Sequence, residues 1–255
     1  MKNSITILSI LLLSGVDKAS AQFAHFTNHG VIEFEKSVNM FAVLKPKEGD
    51  DNVFQKAYYE KYRSSQPQFT KFRSKLLFDQ NKSYFQPNQE DNDKFKGGFW
   101  GSGGNPTQIN EVFTNLTQGV FTTKKAVFED NFIVKDSVRK IDWKITSEVR
   151  EIAGYNCRRA NALIMDSIYV VAFYTDEIPV SGGPESFTGL PGMILGIALP
   201  YEHVTWFATK VTDMPVPDKD FVIPIKGKPA TLKSLKEIIL QADDYFKDSL
   251  KAFML

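Results

Sequence analysis

The side chains that could carry chemistry are few, and their spacing limits what each could do. His25 and His29 stand four apart, a separation that puts two ligands on one face only if the segment is a helix, and no third ligand follows nearby. His203 lies beside Glu202 ahead of an apolar run. No ligand signature results, so no metal is expected. Cys157, the single cysteine, sits in the alternating stretch GYNCRRA. A free cysteine in such a place packs as a small hydrophobe, although Arg158 and Arg159 could lower its pKa if it were exposed. Ser102 in WGSGG lacks the first glycine of a Gly-x-Ser-x-Gly nucleophile elbow. A hydrolase using Ser102 or a thiol enzyme using Cys157 is therefore the rival reading, and a protein without a catalytic residue or cofactor is the leading one.

The densest unusual composition is GGPESFTGLPGMIL, Gly182 to Leu195. A phosphate-binding loop would need a lysine after its glycines, and no Lys or Arg occurs between Gly182 and Pro200. A membrane span would need about 20 apolar residues without proline. What remains is a turn. Pro191 followed by Gly192 is the preferred central pair of a type II turn. Gly183 and Gly189 offer positive φ or a close backbone approach, Pro184 stiffens the entry, Phe187 is expected to cover the turn, and Leu190 to anchor it. Such a turn serves either as a corner closing a sheet or as the mouth of a pocket.

The chain opens with Lys2, an apolar run from Ile5 to Val16 and Ala19-Ser20-Ala21. This is the pattern of a cleaved signal peptide, residues 1–21, and it predicts export to the periplasm or cell surface after cleavage near Ala21. The mature residues 22–255 would carry zero formal charge, because Lys2, Asp17 and Lys18 are removed from a chain of net charge +1. Neutrality argues against a nucleic-acid partner. A single cysteine allows no internal disulfide, so the fold must rest on its core, to which a 42% hydrophobic composition is well suited.

Periodicity predicts mainly β structure within one domain, 22–255. Gly30 to Leu44 reads as a strand entering a core, and Asp50 to Ser65 as a short helix behind an Asp cap. Phe69 to Pro87 reads as a hairpin around Asp79-Gln80-Asn81. Gln89 to Gln108 reads as a long loop, and strands then follow at meander spacing from Glu111 to Pro179 and from Gly192 to Met214. Thr231 caps an amphipathic C-terminal helix. Asp243 and Asp244 fall on its polar face.

The segment from Ile141 to Leu199, with IDWKITSEVREIAGYNCRRANAL, then VVAFYTDEIPVSGGPESFTGLPGMILGIAL, resembles the GLPGLI family of exported bacterial proteins. The signature appears here as Gly189-Leu190-Pro191-Gly192-Met193-Ile194, and FIVKDS and IKGKPATLKSLKEI extend the match. Phe173-Tyr174 stands where the family tends to carry Trp-Tyr, and Met165-Asp166-Ser167 where it tends to carry an Arg. The resemblance implies an exported β-rich protein and supplies no catalytic residue.

Strand order is also similar to that of periplasmic lipoprotein carriers, whose curved half-barrel holds acyl chains. By that analogy the fold is α+β, a strongly curved antiparallel sheet with a short early helix and an amphipathic last one. Its concave face would be lined by Phe132, Trp143, Tyr169, Val171 and Trp206 and would hold a lipid or other apolar ligand. The leading expectation is a non-enzymatic binding or assembly protein of the envelope. The alternative is a structural subunit of an outer-membrane complex with an envelope protein as partner. Asp-Ser-apolar tripeptides at Ser137, Ser167 and Ser249 resemble acceptors for O-glycosylation in bacteria carrying this family.

Overall fold

The computed structural model describes residues 26–49, 51–88, 90–91, 110–127, 129–241 and 254. The signal-peptide segment with its cleavage site, His25, most of the long loop with Ser102, the acidic pair Asp243 and Asp244, and Ser249 lie outside them.

Alternation sets the strands. In β1 (Gly30–Asn39) burial alternates residue by residue, with Ile32, Phe34, Lys36 and Val38 turned to one face. The apolar residues after it do not extend the strand. They form the single helical turn α1 (Met40–Val43), because Asn39 accepts a hydrogen bond from Ala42 N and halts the extended backbone. Helix α2 (Val53–Ser65) is capped by Asn52, whose side chain accepts from Gln55 N at 3.1 Å, so the capping residue is Asn rather than the Asp expected. β2 (Phe69–Phe78) and β3 (Lys82–Pro87) pair as the expected hairpin, with Asp79 Oδ1 accepting from Asn81 N and Lys82 N in the turn.

The meander continues through β4 (Glu111–Asn115), β5 (Val120–Val127), β6 (Asp130–Ser137), β7 (Lys144–Ile152), β8 (Tyr155–Ile164), β9 (Ile168–Thr175), β10 (Met193–Leu199) and β11 (Val204–Asp213). A three-residue strand β12 (Lys228–Ala230) runs parallel to β6, and helix α3 (Leu232–Gln241) follows. Thr231 caps α3 as expected, accepting from Ser234 N at 3.1 Å, and Asp136 from β6 accepts a second N–H, that of Leu232, at 3.0 Å. Leu235 and Ile239 anchor the helix in the core.

All twelve strands make one sheet in the order β12-β6-β5-β4-β3-β2-β1-β11-β10-β9-β8-β7. Two meander arms therefore meet where β1 pairs with β11. The connection from β6 to β7 dictates the shape. These strands lie ten spacings apart in the sheet, which in a flat sheet would be about 48 Å. Residues 138–143 join them, and that length of chain reaches at most about 25 Å. The sheet must curl until its two ends approach, and the strongly curved antiparallel sheet expected from the sequence is the observed architecture. The interior of the curl is a continuous core in which Phe34 meets Phe85 edge-on at 6.4 Å.

Candidate functional site

The cross-strand register identifies which side chains share the interior. Trp206 pairs with Lys36 of β1 and with Ile197 of β10, and Phe132 pairs with Lys125 of β5. Val171 and Tyr169 pair instead with Asn161 and Leu163. They stand on the other face of β9, which is why Tyr169 meets the exposed Tyr201 ring at 6.4 Å. Trp143 precedes β7, and its indole Nε1–H donates to Thr188 O at 2.9 Å. The five residues expected to line one apolar groove are thus divided between two faces and a loop. Phe132 and Trp206 are core residues, each beside a buried lysine.

The segment 178–194 is folded by its own backbone. Val180 N donates to Ile178 O, Gly182 N to Val180 O and Ile194 N to Gly182 O, all within 2.9 Å. At Pro191 the expected type II turn is not formed. Gly192 N donates to Leu190 O at 2.8 Å, a three-residue γ-turn, and Met193 N is taken by Ile178 O at 3.0 Å. Gly192 has φ +150, and a Cβ there would lie 2.1 Å from Thr175 O. The glycine is required by this close approach to β9. Gly189 has φ +94 beneath the Trp143 ring, and a Cβ on Gly183 would meet Phe187 O at 2.8 Å.

This compact backbone drives residues 182–188 into the curl. Pro184, Glu185, Phe187, Thr188 and Leu190 are all buried. Phe187 packs against Trp206 at 6.2 Å. Glu185 adopts φ +55, a left-handed conformation that costs an ordinary residue about 1–2 kcal/mol. Its carboxylate accepts from Asn110 Nδ2 at 2.6 Å and lies 3.9 Å from Lys36 Nζ. Lys36 in turn sits 4.7 Å from the centroid of the Trp206 ring.

Lys125 approaches the same carboxylate from β5, on the same arm of the sheet as β1 and four strands from it. Its side chain is 2% exposed, and its Nζ has no hydrogen-bond partner among the described residues. Burial lowers the pKa of both Lys36 and Lys125 to about 8, against the opposing attraction of Glu185. For Lys125 the positive charges of Arg139 and Lys36 push in the same direction as burial. Arg139, which follows β6, is held below the usual arginine range by desolvation and donates one N–H to Met254 O at 2.9 Å. Two buried lysines therefore share the field of one buried carboxylate, and Arg139 adds a further positive charge near Lys125. Between the plug and β5 lies a small cavity of about 10 Å³, room for about one water molecule, lined by Val112, Phe121, Thr123, Lys125, Arg139 and Ser186 and closed by Leu232 and Met254.

None of Lys36, Lys125, Arg139 and Glu185 was expected from the sequence. A signal was present for the lysines, since each holds an inward position of an alternating strand, Lys36 with Ile32, Phe34 and Val38, and Lys125 with Phe121, Thr123 and Val127. Glu185 gave none.

The remaining candidates are placed plainly. Cys157 is fully buried, with its thiol 3.5 Å from Tyr155 O, and burial pushes its pKa up to about 12. Arg158 is exposed, and Arg159 is engaged by Glu148 at 2.6 Å, so neither activates the thiol. His29 lies 3.7 Å from Asp213, while His203 ends a short turn at φ +58. Ser137 and Ser167 are exposed, in the last position of β6 and in the β8–β9 turn respectively.

Residues 163–196, from the end of β8 through the buried segment and into β10, match the family model described as "Protein of unknown function (Porph_ging)". No curated protein matches the chain. Among solved structures the chain is similar to PNGF-II in a P21 crystal form, at 16% identity and a TM-score of 0.51, covering 84% of this chain and 33% of that one. It is likewise similar to PNGF-II in a C2 form, at 14% identity and a TM-score of 0.50, covering 88% and 32%. The chain spans about a third of the length of those structures, and at this identity the likeness concerns the fold alone.

Proposed function

We propose that this chain is a non-enzymatic binding protein of the bacterial envelope, exported by its N-terminal signal and related to the GLPGLI family, whose ligand enters the interior of the curled sheet beside the Gly182–Gly192 plug. The observation that carries this reading is a buried lysine without a hydrogen-bond partner on the wall of a solvent-connected cavity. Uncompensated buried charge and a strained residue such as Glu185 both lower stability, and such costs cluster at functional sites. The cavity has room for about one water molecule, and Phe132, Trp206 and Phe187 fill the rest of the interior, so a larger ligand must displace the side chains that close it. A thiol mechanism at Cys157 is disfavoured by its protonated, buried sulfur.

The test is native mass spectrometry with organic extraction of the protein purified gently from its own envelope. A reproducible small-molecule adduct that disappears when Phe121→Trp fills the cavity supports the reading. A bare polypeptide mass, with no ligand recovered by extraction, contradicts it.

A second reading, docking to an envelope protein, is favoured by the exposed apolar side chains of Val222, Ile223 and Ile225 between β11 and β12, the last of them 81% exposed. Crosslinking in the native envelope that is lost on Ile225→Asp would support it, and an unchanged crosslinking pattern would not.

A further inference from the structure

We propose that the small cavity between β5 and the plug binds a single halide ion such as chloride, with Lys125 Nζ and the Thr123 hydroxyl as its donors and Arg139 as a second positive charge on the wall. The inference goes beyond the preceding reading, because it concerns the cavity in its closed form and needs no side chain to move aside for a larger ligand.

The charge balance supplies the first argument. Among the described residues, the charges that act on Lys125 are the carboxylate of Glu185, which attracts it, and the cations Arg139 and Lys36, which repel it. The Glu185 carboxylate accepts from Asn110 Nδ2 through one oxygen and faces Lys36 Nζ at 3.9 Å with the other. Lys125 is therefore attracted by that carboxylate without a hydrogen bond to it, in a place where an unmet ammonium donor carries a desolvation penalty. A monatomic anion beside Lys125 supplies the missing acceptor and reduces the excess of positive charge.

The second argument is the size and the lining. Room for about one water molecule suits a monatomic ion and excludes sulfate, phosphate and any carboxylate. Met254 is one of the two residues that close the cavity, and its adaptable side chain can yield the small margin by which chloride exceeds a water molecule. The Thr123 hydroxyl is buried without a partner among the described residues, and it stands two residues from Lys125 on the same face of β5, so the two groups converge on the cavity. Arg139 gives one N–H to Met254 O and has further donors to offer. Glu185 does not line the cavity, and the polar side chains that do are two cations and the hydroxyls of Thr123 and Ser186. A water molecule there would have to place its own hydrogens, and neither cation accepts one, whereas an anion accepts from all of these groups.

The experiment replaces sodium gluconate by sodium chloride at constant ionic strength, up to about 0.15 M, and follows the thermal midpoint of the wild type and of Lys125→Met. Gluconate is too large for the cavity. Expected is a rise of about 3–5 °C in the wild type for each tenfold increase of chloride above its dissociation constant. The slope in Lys125→Met, which keeps the side-chain length and removes the charge, should be at least fivefold smaller. Equal slopes in the two proteins would overturn the proposal in favour of a surface effect, and a wild type indifferent to chloride would overturn it outright. Wild-type crystals grown in chloride give a second readout that depends on no variant, since long-wavelength anomalous diffraction separates chlorine from a water oxygen, with the Met254 sulfur as internal reference. An anomalous peak within hydrogen-bond distance of Lys125 Nζ and Thr123 Oγ1 is expected. Density there without anomalous signal would make the cavity a water site and overturn the proposal. The extraction experiment above reads a larger ligand by its mass, so failure of that reading and failure of the halide site are told apart.

Discussion

Replacing Lys125 by methionine should make the protein more stable at neutral pH. Methionine is unbranched and of similar length, so it can fill the same space without the charge. The size of the gain follows from the lysine's pKa, lowered from 10.5 to about 8 by burial that leaves its side chain 2% exposed. At about 1.36 kcal/mol per unit, that difference is roughly 3 kcal/mol. Below about pH 8 the amine is charged in both states, and the folded protein bears the whole penalty. Between pH 8 and 10.5 the unfolded chain holds a proton that the folded chain has released, so wild-type stability rises with pH; above 10.5 both forms are neutral. The advantage of Lys125→Met should therefore be about 3 kcal/mol at pH 7 and shrink by that amount toward pH 10.5. Cys157 acts in the opposite direction above pH 9, because its folded pKa is raised, but it is present in both proteins and cancels in the difference. For a domain of this size the gain corresponds to a Tm increase of about 6–12 °C at neutral pH. Urea melts of both proteins across this pH range provide the assay. A destabilised variant, or a stability difference that does not change with pH, would refute the argument that an uncompensated charge is buried at this position.

Gly192→Ala should unfold or severely destabilise the protein, by about 3 kcal/mol or more, because its Cβ would fall 2.1 Å from Thr175 O, whereas Gly189→Ala, with its nearest contact at 3.5 Å, should lose only about 1 kcal/mol through its positive φ; denaturant midpoints distinguish the two. Trp143→Phe keeps the ring over Gly189 but removes the donor to Thr188 O, and should cost about 1 kcal/mol in the same assay. The Cys157 thiol should resist aromatic disulfide reagents at pH 8 in the folded protein and react fully in urea; fast labelling of the native state would contradict its burial. Glu185→Gln should be destabilising by about 2–4 kcal/mol at pH 7, since it leaves both lysines without their counter-charge, and the loss should fade as the pH is raised through about 8 and the lysines release their protons.

The strands were legible because alternation on a half-buried sheet is a local property. β1, β5 and β8 show it directly, and the turn residues Asp79-Gln80-Asn81 mark the hairpin. β12 was not legible, since three residues carry no period and its pairing with β6 is made by tertiary context. The apolar groove was misassembled for a related reason. β9 is buried on both faces, so its sequence hides the side to which Tyr169 and Val171 point. The glycine-proline segment was recognised as a turn, but the turn type depends on which carbonyl receives Met193 N, and that carbonyl belongs to Ile178, fifteen residues earlier. Likewise, Glu185 resembles any polar loop residue until the curl brings Lys36 of β1 and Lys125 of β5 within reach of it.

The most direct test of a buried lysine without a hydrogen-bond partner is the titration of the lysine side chains by NMR, with the Lys125 signal assigned by its loss in Lys125→Met. The account expects a midpoint near 8 in the folded protein, because burial disfavours the charged amine, and a return to the ordinary range in urea. A midpoint in the ordinary lysine range near 10.5 in the folded protein would contradict it.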